Sequence, residues 1–217
     1  MSSARWLGTK RRASVFTLIL LAGNVCACHR HETPSEQADR LAVLLEWKPG
    51  SVVAEIGAGD GQMTQEVAAR VGRQGHVYST EIDSEKLTQL KALAKAQASR
   101  NISVVEAGSV ESNLPPECCD SIFMQRVYHH FTEPRRTGAS LFRSLRPGGR
   151  LAVVDFRPNW YLNVFYPLKG VPKNHGGHGV SPEVLTEELT SVGFRVVTGA
   201  LDWPNSDYCV VFRKPPG

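Results

Sequence analysis

The sequence predicts an α/β fold: a doubly wound, mostly parallel sheet with helices on both faces. Three observations predict it. Short apolar, β-branched runs alternate with stretches whose apolar residues recur at helical spacing, and such alternation implies right-handed crossovers between parallel strands. A glycine-rich turn, Gly57-Ala58-Gly59-Asp60-Gly61, joins the first apolar run to the amphipathic stretch after it. The chain then closes on FRVVTGALDW and YCVVFRKP, two strand-like runs joined by the turn PNSD, the pattern of an antiparallel hairpin.

The elements follow in order. Ser35 to Trp47 has helical spacing, with Ser35 as its expected cap, and Lys48-Pro49-Gly50 ends it. SVVAEIG reads as a strand buried on both faces. Gln62 to Val71 reads as a helix, His76 to Ile82 as a strand, and Ser84 to Ala98 as a second amphipathic helix capped by Ser84. ISVVEA and DSIFM are the next strands, separated by the loop SVESNLPPECC. A helix from about Pro134 to Leu145, the turn RPGG and the strand LAVVDF come next. The long segment RPNWYLNVFYPLKGVPKNHGGHG has no clear period, and a connection of that length inside a compact domain is usually a binding loop or lid. Ser181-Pro182-Glu183 caps a last helix before the hairpin.

At 217 residues the chain has room for one well-buried domain and too little for two of ordinary size. The formal charge of +4 resides in the first 27 residues, where Arg5, Lys10, Arg11 and Arg12 meet no acidic residue. The remaining 21 Lys and Arg face 21 Asp and Glu. A domain so balanced lacks the uncompensated cations of a nucleic-acid surface, and no nucleic-acid partner is expected.

Residues 1–27 have the three parts of a secretory signal: a cationic start, the apolar stretch ASVFTLILLAG and a small-residue exit. Val25-Cys26-Ala27 before Cys28 follows the bacterial lipobox apart from Cys26, where a small Ala, Ser or Thr is more usual. The expected organisation is a targeting leader over 1–27, a linker over 28–34 and one domain over 35–217. The expected location is exported, periplasmic or membrane-attached through the leader or a lipidated Cys28, with an organellar address as the alternative. Cys118, Cys119 and Cys209 form no CxxC and read as packing or loop residues.

The glycine turn discriminates among cofactors. A nicotinamide or flavin fingerprint requires GxGxxG, and its third glycine would fall at position 62, which is Gln62. Here the spacing is GxGxG, preceded by Glu55 in AEIGAGDG. Glu81 ends the second strand, 20 residues after Gly61, where a carboxylate can accept ribose hydroxyl protons, and Ile82 beside it would offer an apolar face to adenine.

These motifs, with VVEAGSVESNLPPECCDSIFMQRVYHHF, LFRSLRPGGRLAVVDF and the terminal hairpin in the same order, resemble the class I S-adenosylmethionine-dependent methyltransferases over about residues 35–215. The likeness is strongest to the small-molecule branch that includes the ubiquinone and menaquinone methyltransferases. It implies a Rossmann-like sheet of seven strands with the last antiparallel, and S-adenosylmethionine as cofactor. It also implies a cofactor site at Glu55, Gly57, Ala58, Gly59, Gly61, Glu81 and Ile82. Ser109 and Val110 stand where the family commonly has an acidic residue that contacts the adenine amino group.

Methyl transfer from a sulfonium chiefly demands alignment, and a base only where the acceptor must lose a proton. His129 and His130, just after the fourth strand, are the candidate bases. Asp155 could orient substrate, while Trp160, Tyr161, Phe165 and Tyr166, with His175 and His178, are expected to wall the acceptor site. HGGH places two histidines at ligand spacing without an acidic partner nearby, so no metal is expected. The expected function is methyl transfer to a small, apolar or aromatic acceptor. The alternative is an exported binding protein on the same fold without turnover, since the cofactor is made in the cytosol.

Overall fold

The computed structural model describes residues 32–96 and 101–217. The leader, Cys28 and most of the linker lie outside these residues, as do the last two residues of the helix expected to end at Ala98. His31–Gly217 is a compact unit that contains all seven strands and both apolar cores, so it has what a domain needs to fold by itself.

The strands are β1 (Val52–Ile56), β2 (His76–Glu81), β3 (Ile102–Glu106), β4 (Cys119–Gln125), β5 (Leu145–Asp155), β6 (Arg195–Trp203) and β7 (Asp207–Arg213). They form one sheet in the order β3-β2-β1-β4-β5-β7-β6. The first five run parallel, and β7 lies antiparallel between β5 and β6. This is the seven-stranded, doubly wound sheet that the alternation and the hairpin foretold.

Each buried strand sends alternate side chains to opposite faces, which is why its sequence is apolar throughout. Ala54, Ile122, Met124, Leu151 and Val153 join one core. It is closed by Leu141 of α4 (Pro134–Ser144) and by Leu185 and Leu189 of α6 (Pro182–Ser191). Val53, Phe123, Ala152 and Val154 join the other, which is covered by α1 (Pro34–Leu44) and α2 (Gln62–Val71). α3 (Ser84–Ala96) packs along β3 and β2.

Local chemistry sets the helix ends. The cap of α1 is Thr33 rather than Ser35: its hydroxyl accepts the Glu36 N–H, and the Glu36 carboxylate accepts the Thr33 N–H in return. At α3, Asp83 Oδ1 accepts the Glu85 and Lys86 amides, so Asp83 does the work expected of Ser84. Ser181 caps α6 as expected, accepting from Val184 N–H. RPGG is not a free turn. Gly148 N–H donates to Lys214 and Lys214 N–H to Gly149, so pairing with the chain end carries β5 through these residues. The segment without a period contains a short α-helix, α5 (Trp160–Phe165), capped by Asn159, and a single 3-10 turn over Lys173–His175.

Beneath the glycine turn, Glu55 is buried on the helix side of β1 and accepts a hydrogen bond from the Thr64 hydroxyl of α2. Burial pushes its carboxyl up to about 8, against the lowering by Thr64 and helped by the charges of Asp60 and Glu81. The folded protein therefore keeps a proton that the unfolded chain releases near pH 4.5. The sign follows: the contribution of Glu55 to stability is greatest below that pH and falls as pH rises towards 8. Glu55→Gln should remove this slope. In urea unfolding, the midpoint of the variant should gain on the wild type between pH 5 and pH 8, roughly the span between the two pKa values; a constant difference would show that Glu55 is not buried as a neutral acid.

Candidate functional site

The order of strands reverses at β1, which has β2 on one side and β4 on the other. Crossovers leave such a point in opposite directions, opening a crevice beyond the carboxyl ends of the strands. A cavity of about 420 Å3 lies there, within the roughly 300–1,000 Å3 of small-molecule sites. Four strand ends form it: Gly57 and Gly59 after β1, Glu81 and Ile82 at β2, Gly108 and Ser109 after β3, and Arg126, Val127 and His130 after β4.

The glycines have separate reasons. Gly57 has φ +71°, and a Cβ there would lie 2.6 Å from a Val127 methyl, so only glycine lets the first loop touch the fourth. Gly59 has φ +58° with open space around it, and its N–H donates to Glu81 Oε2 at 2.9 Å. Gly61 serves packing: a Cβ would meet Leu90 and Leu93 of α3 at 2.8 and 2.9 Å.

Glu81 is the best-held group of the site. Besides Gly59, the amides of Ile82 and Asp83 donate to its Oε1 at 2.8 and 3.1 Å. Three backbone donors fix the plane of the carboxylate, and an ionised carboxylate has about four acceptor positions, so it retains capacity for a ligand hydroxyl. Ile82 is 61% exposed, an unusual state for an isoleucine on a cavity wall. Thr80 Oγ1, also on this wall, is buried without a hydrogen-bond partner. A polar ligand with a flat apolar part fits these features: hydroxyls for Glu81 and Thr80, and a ring for Ile82. The adenosine half of S-adenosylmethionine has this chemistry, so the residues fit the cofactor.

The structure thus brings Gly57, Gly59, Glu81, Ile82, Ser109 and His130 to one cavity. It does not bring Glu55, Ala58, Gly61 or Val110 to the wall, because Glu55 and Gly61 serve the packing of α2 and Ala58 is buried in the turn. The two histidines also separate. His129 is 2% exposed; its Nδ1–H donates to Asp155 Oδ1 at 2.8 Å and its amide to Oδ2 at 3.1 Å, so it is a buried brace between β4 and β5. His130 faces the cavity. Burial holds its imidazole below the usual histidine range, helped by the nearby rings of His129 and His178.

The expected acceptor wall is rearranged. Trp160, Tyr161, Phe165 and Tyr166 are exposed and stand off the cavity. His175 and His178 turn apart: His175 is fully buried and bonds Glu188 at 3.0 Å, whereas the ring of His178 lies 5.1 Å from that of His129. Among the described residues no group of three metal-binding side chains forms. The apolar part of the wall includes Val127, Phe131 and Leu141, beside Ile56, Ile82 and Ala107.

Sequence reasoning missed Arg126. It has φ +55°, and its guanidinium forks onto the buried Asp207 at 2.7 and 2.9 Å, tying the loop after β4 to β7. Nothing in the spacing joins residues 81 positions apart. Lys86, which also lines the cavity, was missed as well, although a helix that starts at residue 84 carries its first turn over the end of β2.

Residues 54–153 match the family described as a methyltransferase domain. A ubiquinone/menaquinone biosynthesis C-methyltransferase of Vibrio vulnificus is 30% identical over 132 residues, covering 60% of this chain and 49% of that protein. A 2-phytyl-1,4-naphthoquinone methyltransferase of Trichormus variabilis is 31% identical over 141 residues, 58% of this chain and 62% of the relative. The chain therefore spans about half to three-fifths of the length of these relatives. A solved SAM-dependent methyltransferase from Aquifex aeolicus superposes with a TM-score of 0.65 over 85% of this chain and 100% of its own, at 22% identity, which is a likeness of fold. The matched residues run from β1 to β5, the strands whose ends build the cavity: over them the chain matches the methyltransferase-domain family and is similar to small-molecule methyltransferases, and its fold is that of a solved S-adenosylmethionine-dependent methyltransferase.

Proposed function

We propose that the protein transfers a methyl group from S-adenosylmethionine to a small, apolar or aromatic acceptor. The observation that carries the reading is the carboxylate of Glu81, held by three backbone amides at the wall of a cavity of about 420 Å3 and opposite a glycine turn of cofactor-binding spacing. When bound, S-adenosylmethionine supplies a methyl group on a sulfonium, an electrophile that needs no further activation.

The work left to the chain is placement. Glu81 and Thr80 would take the hydroxyls, Ile82 would cover the base, and Ser109, which lines the same cavity, would take the exocyclic amine. Val127, Phe131 and Leu141 offer an acceptor an apolar surface, which supports a nonpolar or aromatic one. The quinones in the names of the curated relatives support the same class. His130, kept as the free base near neutrality by burial, would accept a proton from an acceptor that must lose one. His129 and Asp155 position it through the contact of the two imidazole rings, whose centres are 4.1 Å apart. The exported, membrane-attached location drawn from residues 1–27 belongs to the same proposal and rests on the sequence alone.

Calorimetric titration tests the site. S-Adenosylmethionine should bind the wild type with micromolar affinity and Glu81→Ala at least tenfold more weakly, about 1.4 kcal/mol; equal binding by both would dismiss Glu81 as a cofactor ligand. With a reduced 2-alkyl-1,4-naphthoquinone as acceptor probe, His130→Ala should lower kcat while cofactor affinity is kept. The wild-type rate should fall as pH drops through the depressed pKa of His130, below 6.5, and the variant should lack that acid limb. An unchanged limb would take the base role from His130.

A further inference from the structure

We propose that the outer face of α5 and the turn after it seat the protein on an anionic phospholipid surface, beside the mouth of the cofactor cavity. Nine large hydrophobic side chains are exposed among the described residues, and five of them fall within seven consecutive positions: Trp160, Tyr161, Val164, Phe165 and Tyr166, between 51% and 74% exposed. Scattered exposed hydrophobics are ordinary, whereas a contiguous patch of this kind marks an interaction surface. The cavity does not use them.

The patch is built rather than frayed. Asn159 caps α5 by accepting the Tyr161 amide, and its own N–H donates to the His178 carbonyl. Asn163 donates to the Gly176 carbonyl and accepts the His178 amide. Below them the buried His175 is bonded to Glu188, a carboxylate that burial pushes up but that His175, Tyr128 and Asn174 together hold below its usual range. The polar side chains thus hold the segment to the body, and the aromatic ones remain outside.

Charge identifies the partner. Residues 156–182 contain no Asp or Glu, in a domain whose charges balance only as a whole. Arg157 pairs with Glu183, but Lys169 and Lys173 are exposed and form no ion pair among the described residues. Trp and Tyr beside unpaired Lys form the composition of a membrane interface, where the rings sit at headgroup level and the ammonium groups meet anionic lipid. A six-residue helix is too short to span a bilayer and can only lie on it. Arg126 joins this surface to the site: it lines both the cofactor cavity and the adjoining hollow that Leu162 of α5 helps to form. An acceptor dissolved in the bilayer would thus be met beside the cavity.

The test uses residues 31–217, the compact unit, so that the leader cannot itself insert. Sedimentation with phosphatidylcholine vesicles containing phosphatidylglycerol is compared with pure phosphatidylcholine vesicles for the wild type, Trp160→Ser/Phe165→Ser and Lys169→Glu/Lys173→Glu. The wild type should bind the anionic vesicles at least tenfold more tightly than the neutral ones. The aromatic variant should lose binding to both, and the lysine variant should lose the preference for anionic lipid. Calorimetric affinity for S-adenosylhomocysteine should stay the same in all three proteins, which separates this result from failure of folding or of the cofactor site. No binding by the wild type, equal binding by all three proteins, or a lipid-independent dimer abolished by the aromatic substitutions would each overturn the proposal.

Discussion

The rest of the site depends on the parallel pairing of β1 with β2 on one side and β4 on the other. That pairing aligns Ile56 with Thr80 and with Met124, so the three strands end at one level and their loops converge. Convergence demands close approach, and the closest is Gly57 against Val127, where even a methyl group at position 57 would collide. The glycine motif is thus a packing requirement of the strand order as much as a means of approach for a cofactor. Glu81 closes β2, and Ser109 and His130 lie in the loops that follow β3 and β4, so each reaches the cavity from the carboxyl end of the sheet.

A second constraint is the price of burying polar groups near an open crevice. Each buried carboxylate there has partners: Glu81 has three amides, Asp155 has the ring and amide of His129, and Asp207 has the guanidinium of Arg126. Breaking such a pair would leave an uncompensated buried charge, so these bonds fix the loops against the sheet. Glu55 takes the other course and remains neutral, with Thr64 as its partner. Rigid loops favour methyl transfer, in which the protein contributes mainly alignment.

The long connection after β5 shows how composition and placement part company. Its aromatics suited an acceptor wall, and their length and spacing allowed it. In the fold, α5 is tethered through Asn159 and Asn163, which turns the aromatic side chains outward. His175 and His178, three residues apart, go to different partners, Glu188 of α6 and His129 after β4. Both outcomes depend on contacts between residues far apart in sequence, to which local spacing is blind.

The strand alternation, the glycine turn, the carboxylate ending β2 and the terminal hairpin were all legible in the sequence, because local periodicity and turn chemistry specify them. So was the class of the domain, since its motifs stand in a fixed order along the chain. Cap positions shifted by one or two residues, as at Thr33 and Asp83, because neighbouring oxygen-bearing side chains compete for the same amides. Tertiary structure alone decided which motif residues face the cavity. Glu55 and Glu81 are acidic residues near strand ends, and the register of β1 with β2 puts them on the same face of the sheet; Glu55, one residue short of the end of β1, lies under α2, whereas Glu81, the last residue of β2, reaches the site. It decided likewise between His129 and His130, adjacent in sequence, where the carboxylate of Asp155 claims one ring and leaves the other to the cavity.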